Sequence, residues 1–187
     1  MNNKIIIETS ARHIHLSQAD LETLFGKGYE LTPKRNLTQK GQYACEETVT
    51  LKKGKKELEH VRIIGPCRKY TQVELLQRDN EYFNLDSPVR KSGDLIGSET
   101  ITIVGPKGEY EAVESTIIAD RHIHMSASDL EKFKRHNDEV VTIKVENGVT
   151  LDDVHIKSDE SCVLEMHMNK DEAEKLGIET GMEVTIC

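Results

Sequence analysis

Ala11-Arg12-His13-Ile14-His15-Leu16-Ser17-Gln18-Ala19-Asp20-Leu21-Glu22 returns later in the chain as Asp120-Arg121-His122-Ile123-His124-Met125-Ser126-Ala127-Ser128-Asp129-Leu130-Glu131, with eight of the twelve positions unchanged. Self-similarity of this length predicts two related halves. An isoleucine-rich segment feeds each copy, at 5–7 and 117–118. Each copy then continues into Ser-x-x-Asp, where Ser17 or Ser126 can cap a short helix. The repeating unit is therefore strand, His-x-His, capped helix.

Outward from the repeat, the chain reads as short strands. Segments 4–8, 48–51, 59–64, 100–104, 115–118, 140–145, 154–157, 162–166 and 183–186 have strand character. Gly65-Pro66 and Gly105-Pro106 each end a β-branched run and mark turns. Helical patterning is brief, at 18–25, 127–134 and 170–176. Short strands at this density predict barrels or sandwiches rather than a doubly wound parallel sheet. At 187 residues, each half sits near the lower size of a self-sufficient core.

Composition narrows the classes. Apolar residues make up 36% and charged residues 31%, which suits a globular chain rather than a disordered one. No apolar run approaches the ~20 residues of a membrane span and no leader is recognisable, so the expectation is a cytoplasmic protein without a membrane partner. A net charge of −8 argues against nucleic acid as a partner. Cys45, Cys67, Cys162 and Cys187 lack C-x-x-C spacing and read as free thiols.

In an extended segment, side chains at i and i+2 share a face. His13 and His15 therefore face one way around Ile14, and His122 and His124 do the same around Ile123. Two imidazoles on one face can chelate an ion, and zinc is the commonest partner of such donors. A single pair reads equally well as surface histidine; its recurrence favours metal. His167 is a further candidate from a C-terminal strand, though alone it reads as structural. His60, His136 and His155 have no paired partner and read as solvated surface, as do Glu46 and Glu47.

The stretch Gly65-Pro66-Cys67-Arg68-Lys69-Tyr70-Thr71-Gln72-Val73-Glu74 places a turn, two cations and a carboxylate within ten residues. Arg68 carries a planar fork suited to phosphate, and Glu74 is a candidate ligand or base. Without context each is an ordinary charged loop residue. Arg12 and Arg121 precede the histidines and point away from them, toward supporting or inter-half contacts. Arg35 and Arg62 are basic positions that a nucleotide-bearing ligand would need.

SARHIHLS (10–17), GYELTPKRNLTQKGQYACEETVTL (28–51), GPCRKYTQVEL (65–75), SPVRKSGDLIGS (87–98), ADRHIHMS (119–126) and VLEMHMNKDEA (163–173) resemble, in order and over nearly the whole chain, the PduL-type phosphotransacylases (phosphate propanoyltransferases). The resemblance implies a mostly β fold: two small interwoven β-barrel domains with short capping α-helices. Residues 1–11 with 120–187 would form one barrel. Residues 12–119 would form the other, with an irregular insertion around 26–46. It implies an active site between them holding two zinc ions, with His13, His15 and Glu74 as ligands of one and His122, His124 and His167 of the other.

The same resemblance implies Arg68 as the catalytic phosphate-binding residue and Ser10, Arg35 and Arg62 as CoA-binding positions. The substrates would be acyl-CoA and phosphate, or acyl phosphate and CoA, with a homo-oligomer left open. Members housed in bacterial microcompartments carry an amphipathic N-terminal extension. Strand-like residues here begin at Lys4, which predicts a freely cytosolic enzyme using acetyl-CoA or propanoyl-CoA. Helix N-termini at Ser17 and Ser126 would offer positive charge to the anionic substrates. Two other readings compete: a binuclear zinc hydrolase acting on a thioester or ester, and a non-catalytic CoA- or zinc-binding module.

Overall fold

A computed structural model describes residues 4–187. In chain order its elements begin β1 (Ile5–Ser10), β2 (His13–His15), α1 (Gln18–Phe25), β3 (Pro33–Asn36), β4 (Tyr43–Lys53) and β5 (Lys56–Gly65). They continue with β6 (Gln72–Glu74), α2 (Gln77–Phe83), β7 (Val89–Arg90), β8 (Glu99–Val104), β9 (Glu109–Ala119) and β10 (His122–His124). The last are α3 (Ala127–Phe133), β11 (Val140–Val145), β12 (Thr150–Lys157), β13 (Glu165–Asn169), α4 (Lys170–Lys175) and β14 (Glu183–Ile186).

The chain divides into two compact units. One takes the residues up to Ala11 together with Asp120–Cys187, and the other is Arg12–Ala119. In the first, six strands close in the order β1-β13-β10-β12-β11-β14. In the second, β4-β5-β2-β6-β9 lie side by side and β8 closes the ring by pairing with β4 and β9.

The sequence repeat is thus a repeat of topology. Around the first ring the pairings run parallel (β1–β13), antiparallel (β13–β10), parallel (β10–β12), and then antiparallel three times. Around the second, β9–β6, β6–β2, β2–β5, β5–β4, β4–β8 and β8–β9 repeat that series. The strand that feeds each motif serves the other barrel. β1 precedes β2 in sequence yet closes the ring containing β10, while β9 precedes β10 yet closes the ring containing β2.

Each barrel fills itself with the side chains that strand alternation turns inward. Ile14 and Ile123, the central residues of the two motifs, are 0% exposed. Ile14 packs with Val49, Leu51, Ile63, Val73, Ile101 and Ile103, and Ile123 packs with Ile5, Ile7, Ile143, Val154, Ile156 and Met166. Fully burying such a side chain contributes about 1.5–3 kcal/mol. Because the isoleucine faces the core, the histidines on either side of it face the other way.

The helices that follow the motifs are capped as their sequence predicts. Ser17 Oγ accepts from Asp20 N and Ser126 Oγ from Asp129 N. These ends are not open to a substrate anion, however. The Asp20 carboxylate accepts from Ser17 Oγ and from Thr71 Oγ1, and Asp129 accepts from Ser126 N and Oγ. The positive end of each helix is already matched by a first-turn carboxylate of its own chain.

Other expectations are corrected. The strand read at 162–166 is β13, three residues later, because Asp159–Cys162 forms a turn held by Asp159 Oδ1 accepting from Ser161 N at 2.7 Å. The region around 26–46 contains β3 and the start of β4. Glu47 is not a surface residue. It is 8% exposed and accepts from Tyr29 Oη and Thr32 N, while Glu46 points outward to Lys34. Among the described residues, no helix is long and apolar enough to cross a membrane.

Candidate metal centres and anion site

In the second unit, β2 lies between β5 and β6. His13 stands opposite Glu74 and His15 opposite Gln72. The donor atoms of His13, His15 and Glu74 lie within 4.8 Å of one another. His13 Nε2 is 3.3 Å from Glu74 Oε2, and His15 Nε2 is 3.6 Å from Glu74 Oε1. His15 Nδ1 lies 3.2 Å from the carbonyl of Ile64. A carbonyl only accepts, so Nδ1 carries the proton and Nε2 presents its lone pair to the carboxylate.

The first unit repeats this with different chemistry. β10 lies between β12 and β13, and His122 stands opposite His167. His122, His124 and His167 form the donor cluster. His122 Nδ1 donates to the carbonyl of Asp120 at 2.9 Å. His124 Nδ1 faces Cys162 Sγ at 3.4 Å, and that thiol donates onward to the carbonyl of Lys157. His122 Nε2 and His124 Nε2 face each other at 3.1 Å; with both Nδ1 atoms acting as donors, each Nε2 offers a lone pair to the space between them.

Acceptor facing acceptor in both clusters is the arrangement a cation resolves. Bonds of 2.0–2.1 Å to tetrahedral zinc put neighbouring donors about 3.3 Å apart, close to the separations found here. The electrostatics agree. Burial holds His15 down at about 4 against the pull of Glu74, with Arg68 and His13 adding to the effect. Burial, with His122 and His167 nearby, holds His124 down at about 2. For Glu74, burial pushes the carboxyl up, but His13 and His15 outweigh it and keep it well below the usual range. At neutral pH His15 and His124 stand ready as neutral imidazoles and Glu74 as a carboxylate.

These shifts set a pH dependence for the metal-free protein. As pH falls below about 6.5, unfolded imidazoles take up protons that folded His15 and His124 refuse, so the unfolded state binds more protons and stability drops. The slope is about 1.4 kcal/mol per pH unit for each imidazole. It should persist to about pH 4 for His15 and lower for His124. Urea unfolding of chelator-treated protein between pH 7 and pH 4 measures it, and a flat profile would contradict the buried neutral histidines.

The anion-binding candidate belongs to the second unit. Arg68 N donates to the Leu16 carbonyl at 2.8 Å, which ties its loop to the motif. That loop begins at Gly65, where a Cβ would lie 2.5 Å from the Tyr43 ring, so any side chain there would displace that ring. Arg68 Nη1 donates to Ser92 Oγ at 3.1 Å. Among the described residues no carboxylate pairs with this guanidinium, so its charge is available to an anion. Burial pushes the Cys67 thiol up, away from the thiolate a nucleophile requires.

Arg62 stands opposite His13 and His155 opposite His122 in the sheets. Arg62 Nη1 donates to the carbonyls of Cys45 and Glu46, both at 2.8 Å, so that nitrogen is engaged by main chain. Arg35 is exposed on β3, and Ser10 ends β1, opposite Asn169. Arg12 pairs with Asp79 and Arg121 with Glu172, each inside its own unit. His60 and His136 are exposed. His155 is not simply solvated: its side chain is 27% exposed and lies 3.5 Å from Asp120 Oδ2. Sequence reading overlooked Gln72 and Glu165, which touch the third donor of each cluster. The i, i+2 rule applied backwards from Glu74 and His167 reaches both.

Residues 6–179 match the family model for phosphate propanoyltransferase. The chain is 47% identical over 180 residues to the phosphate propanoyltransferase of Thermotoga maritima, covering 95% of this chain and 86% of that protein. The Lachnoclostridium phytofermentans enzyme of the same name is 45% identical over 183 residues, covering 96% and 85%. That of Clostridioides difficile is 42% identical over 179 residues, covering 95% and 86%. Similarity of this extent decides against the hydrolase and the non-catalytic module: the chain belongs to the phosphate propanoyltransferase family and is an acyltransferase.

Proposed function

We propose that this acyltransferase is zinc-dependent and interconverts a short-chain acyl-CoA plus phosphate with acyl phosphate plus CoA, taking propanoyl-CoA or acetyl-CoA. The observation that carries the metal part is the convergence of three donors within 4.8 Å in each cluster, with His15 Nε2 facing Glu74 and His122 Nε2 facing His124 Nε2. Three protein donors per ion leave a coordination position open, as in catalytic rather than structural zinc sites. Bound zinc would supply Lewis acidity to the thioester carbonyl and to the departing thiolate.

The chain's own residues supply the rest. Arg68 gathers phosphate through its planar fork, with Ser92 holding one arm of the guanidinium. A phosphate oxygen then forms the new bond to the acyl carbon as the carbon–sulfur bond of the thioester breaks. Holding both substrates together supplies much of the rate. No residue need carry the acyl group, which accords with the un-ionised thiol of Cys67.

The test is one coupled assay. Protein incubated with propanoyl-CoA or acetyl-CoA and phosphate should release CoA and acyl phosphate in equal amounts, and should contain about two zinc ions per chain. Release of free acid instead of acyl phosphate would sink the assigned reaction. Full activity in metal-free protein would sink the zinc dependence.

A further inference from the structure

Gln72 and Glu165 occupy the same place in the two barrels. Across β2 and β6, His13 faces Glu74 and His15 faces Gln72; across β10 and β13, His122 faces His167 and His124 faces Glu165. Each therefore lies two residues before the third donor of its cluster, on the same strand face. Gln72 is 0% exposed and Glu165 8%. Gln72 Nε2 donates to Glu74 Oε1 at 2.6 Å, and Glu165 Oε2 accepts from His167 Nε2 at 2.7 Å.

The chemistry of the two partners is inverted to match the donor each one touches. Where the third donor is a carboxylate, the neighbour is an amide offering N–H. Where it is an imidazole with a proton to give, the neighbour is a carboxylate. Burying an amide or a carboxylate in a strand is costly unless each is hydrogen-bonded, so packing alone would favour an apolar side chain at both positions. We propose that Gln72 and Glu165 are a matched pair of positioning residues, each fixing the orientation and hydrogen-bonded state of its cluster's third metal donor. This rests on the reading of both clusters as metal centres.

The Gln72 amide has one orientation available. Its Oε1 accepts from Gly93 N at 2.8 Å, and its Nε2 donates to both Glu74 and Ser92 Oγ. A flip would set donor against donor at Gly93 and acceptor against acceptor at Glu74, while the Ser92 hydroxyl can serve either way. Because Ser92 Oγ also receives Arg68 Nη1, Gln72 joins the third donor to the anion-binding arginine through a single hydroxyl. Glu165 acts more locally. Its carboxylate accepts from His167 Nε2 and so fixes the orientation of the ring, as outer carboxylates do for ligating histidines.

The experiment uses the full chain. Zinc affinity is measured by competition with a chromophoric chelator for wild type, Gln72→Glu, Gln72→Met, Glu165→Gln and the exchange Gln72→Glu with Glu74→His. Cobalt(II) spectra and metal-free melting are recorded alongside. Each single variant should hold one of its two zinc ions about 10–100-fold more weakly, with altered cobalt bands and the second ion unaffected. The exchange sets a carboxylate against a ring N–H, as in the first unit, and should recover most of what Gln72→Glu loses. Gln72→Met keeps the test open should a buried carboxylate prevent folding.

Variants that bind both ions like wild type, with only melting changed, would overturn the pairing while leaving the metal reading intact. Loss of zinc in Glu165→Gln as complete as in His167→Ala would make Glu165 itself a donor and overturn its positioning role. Wild type that takes up no zinc would overturn the metal reading, and the pairing with it.

Discussion

His122→Ala should lose zinc from its cluster and slow acyl phosphate formation on the order of 10²–10³-fold, the scale on which enzymes lose rate when a group stabilising charge in the transition state is removed. Among the described residues three protein donors converge there, so deletion of one leaves two, too few to retain an ion against a chelator. His122 is also the residue whose ring is pinned by the Asp120 carbonyl. Ile123, which anchors the strand in the core, is untouched, so the variant should fold. Cys67→Ala is the contrast and should retain most activity, because burial keeps that thiol protonated. Initial rates should show intersecting rather than parallel lines, as transfer without an acyl-enzyme requires. Metal analysis and rates on the same preparations decide the matter. Full zinc content with an unchanged rate in His122→Ala would refute the assignment.

Arg68→Lys should be harmful although it preserves charge. The guanidinium donates one arm to Ser92 Oγ and keeps its remaining N–H groups for an anion. An ammonium is a point charge that cannot hold both. Charge-assisted hydrogen bonds of this kind contribute about 1.5–3 kcal/mol, which predicts a drop of about 10–100-fold in kcat/KM for phosphate. The dependence on acyl-CoA should change little. Varying phosphate at saturating acyl-CoA, and then the reverse, separates the two. An unaltered phosphate response would assign the anion to another cation.

The duplicated motif made much of this legible. Alternation about Ile14 and Ile123 fixes which way the histidines face, and the second copy turns a weak His-x-His signal into a pair of clusters. Glu74 and His167 are different in kind. Each reaches its cluster through antiparallel pairing with a strand far away in sequence, and register between distant strands is not written in local pattern. The helix α2 escaped for a related reason. Its N-cap is Leu76, with no hydroxyl, and the cap is supplied by Asp79 Oδ2 accepting from Leu76 N at 2.9 Å. Glu47 and His155 were misplaced because polar sequence neighbours suggested solvent, whereas Tyr29 and Asp120 supply them with partners inside the fold.

The exchange of leading strands between barrels has a consequence for synthesis. The unit Arg12–Ala119 is one uninterrupted stretch and can close as it leaves the ribosome. β1 cannot: its neighbours are β13 and β14, made last. At 5–20 residues per second, the interval between β1 and β14 lasts roughly 10–35 s. Throughout it Ile5 and Ile7, both destined for full burial, wait on a strand with two unpaired edges, the state most prone to pair with another chain. Nascent chains stalled before residue 165 would therefore carry the whole Arg12–Ala119 unit beside a β1 whose two neighbours have not been made.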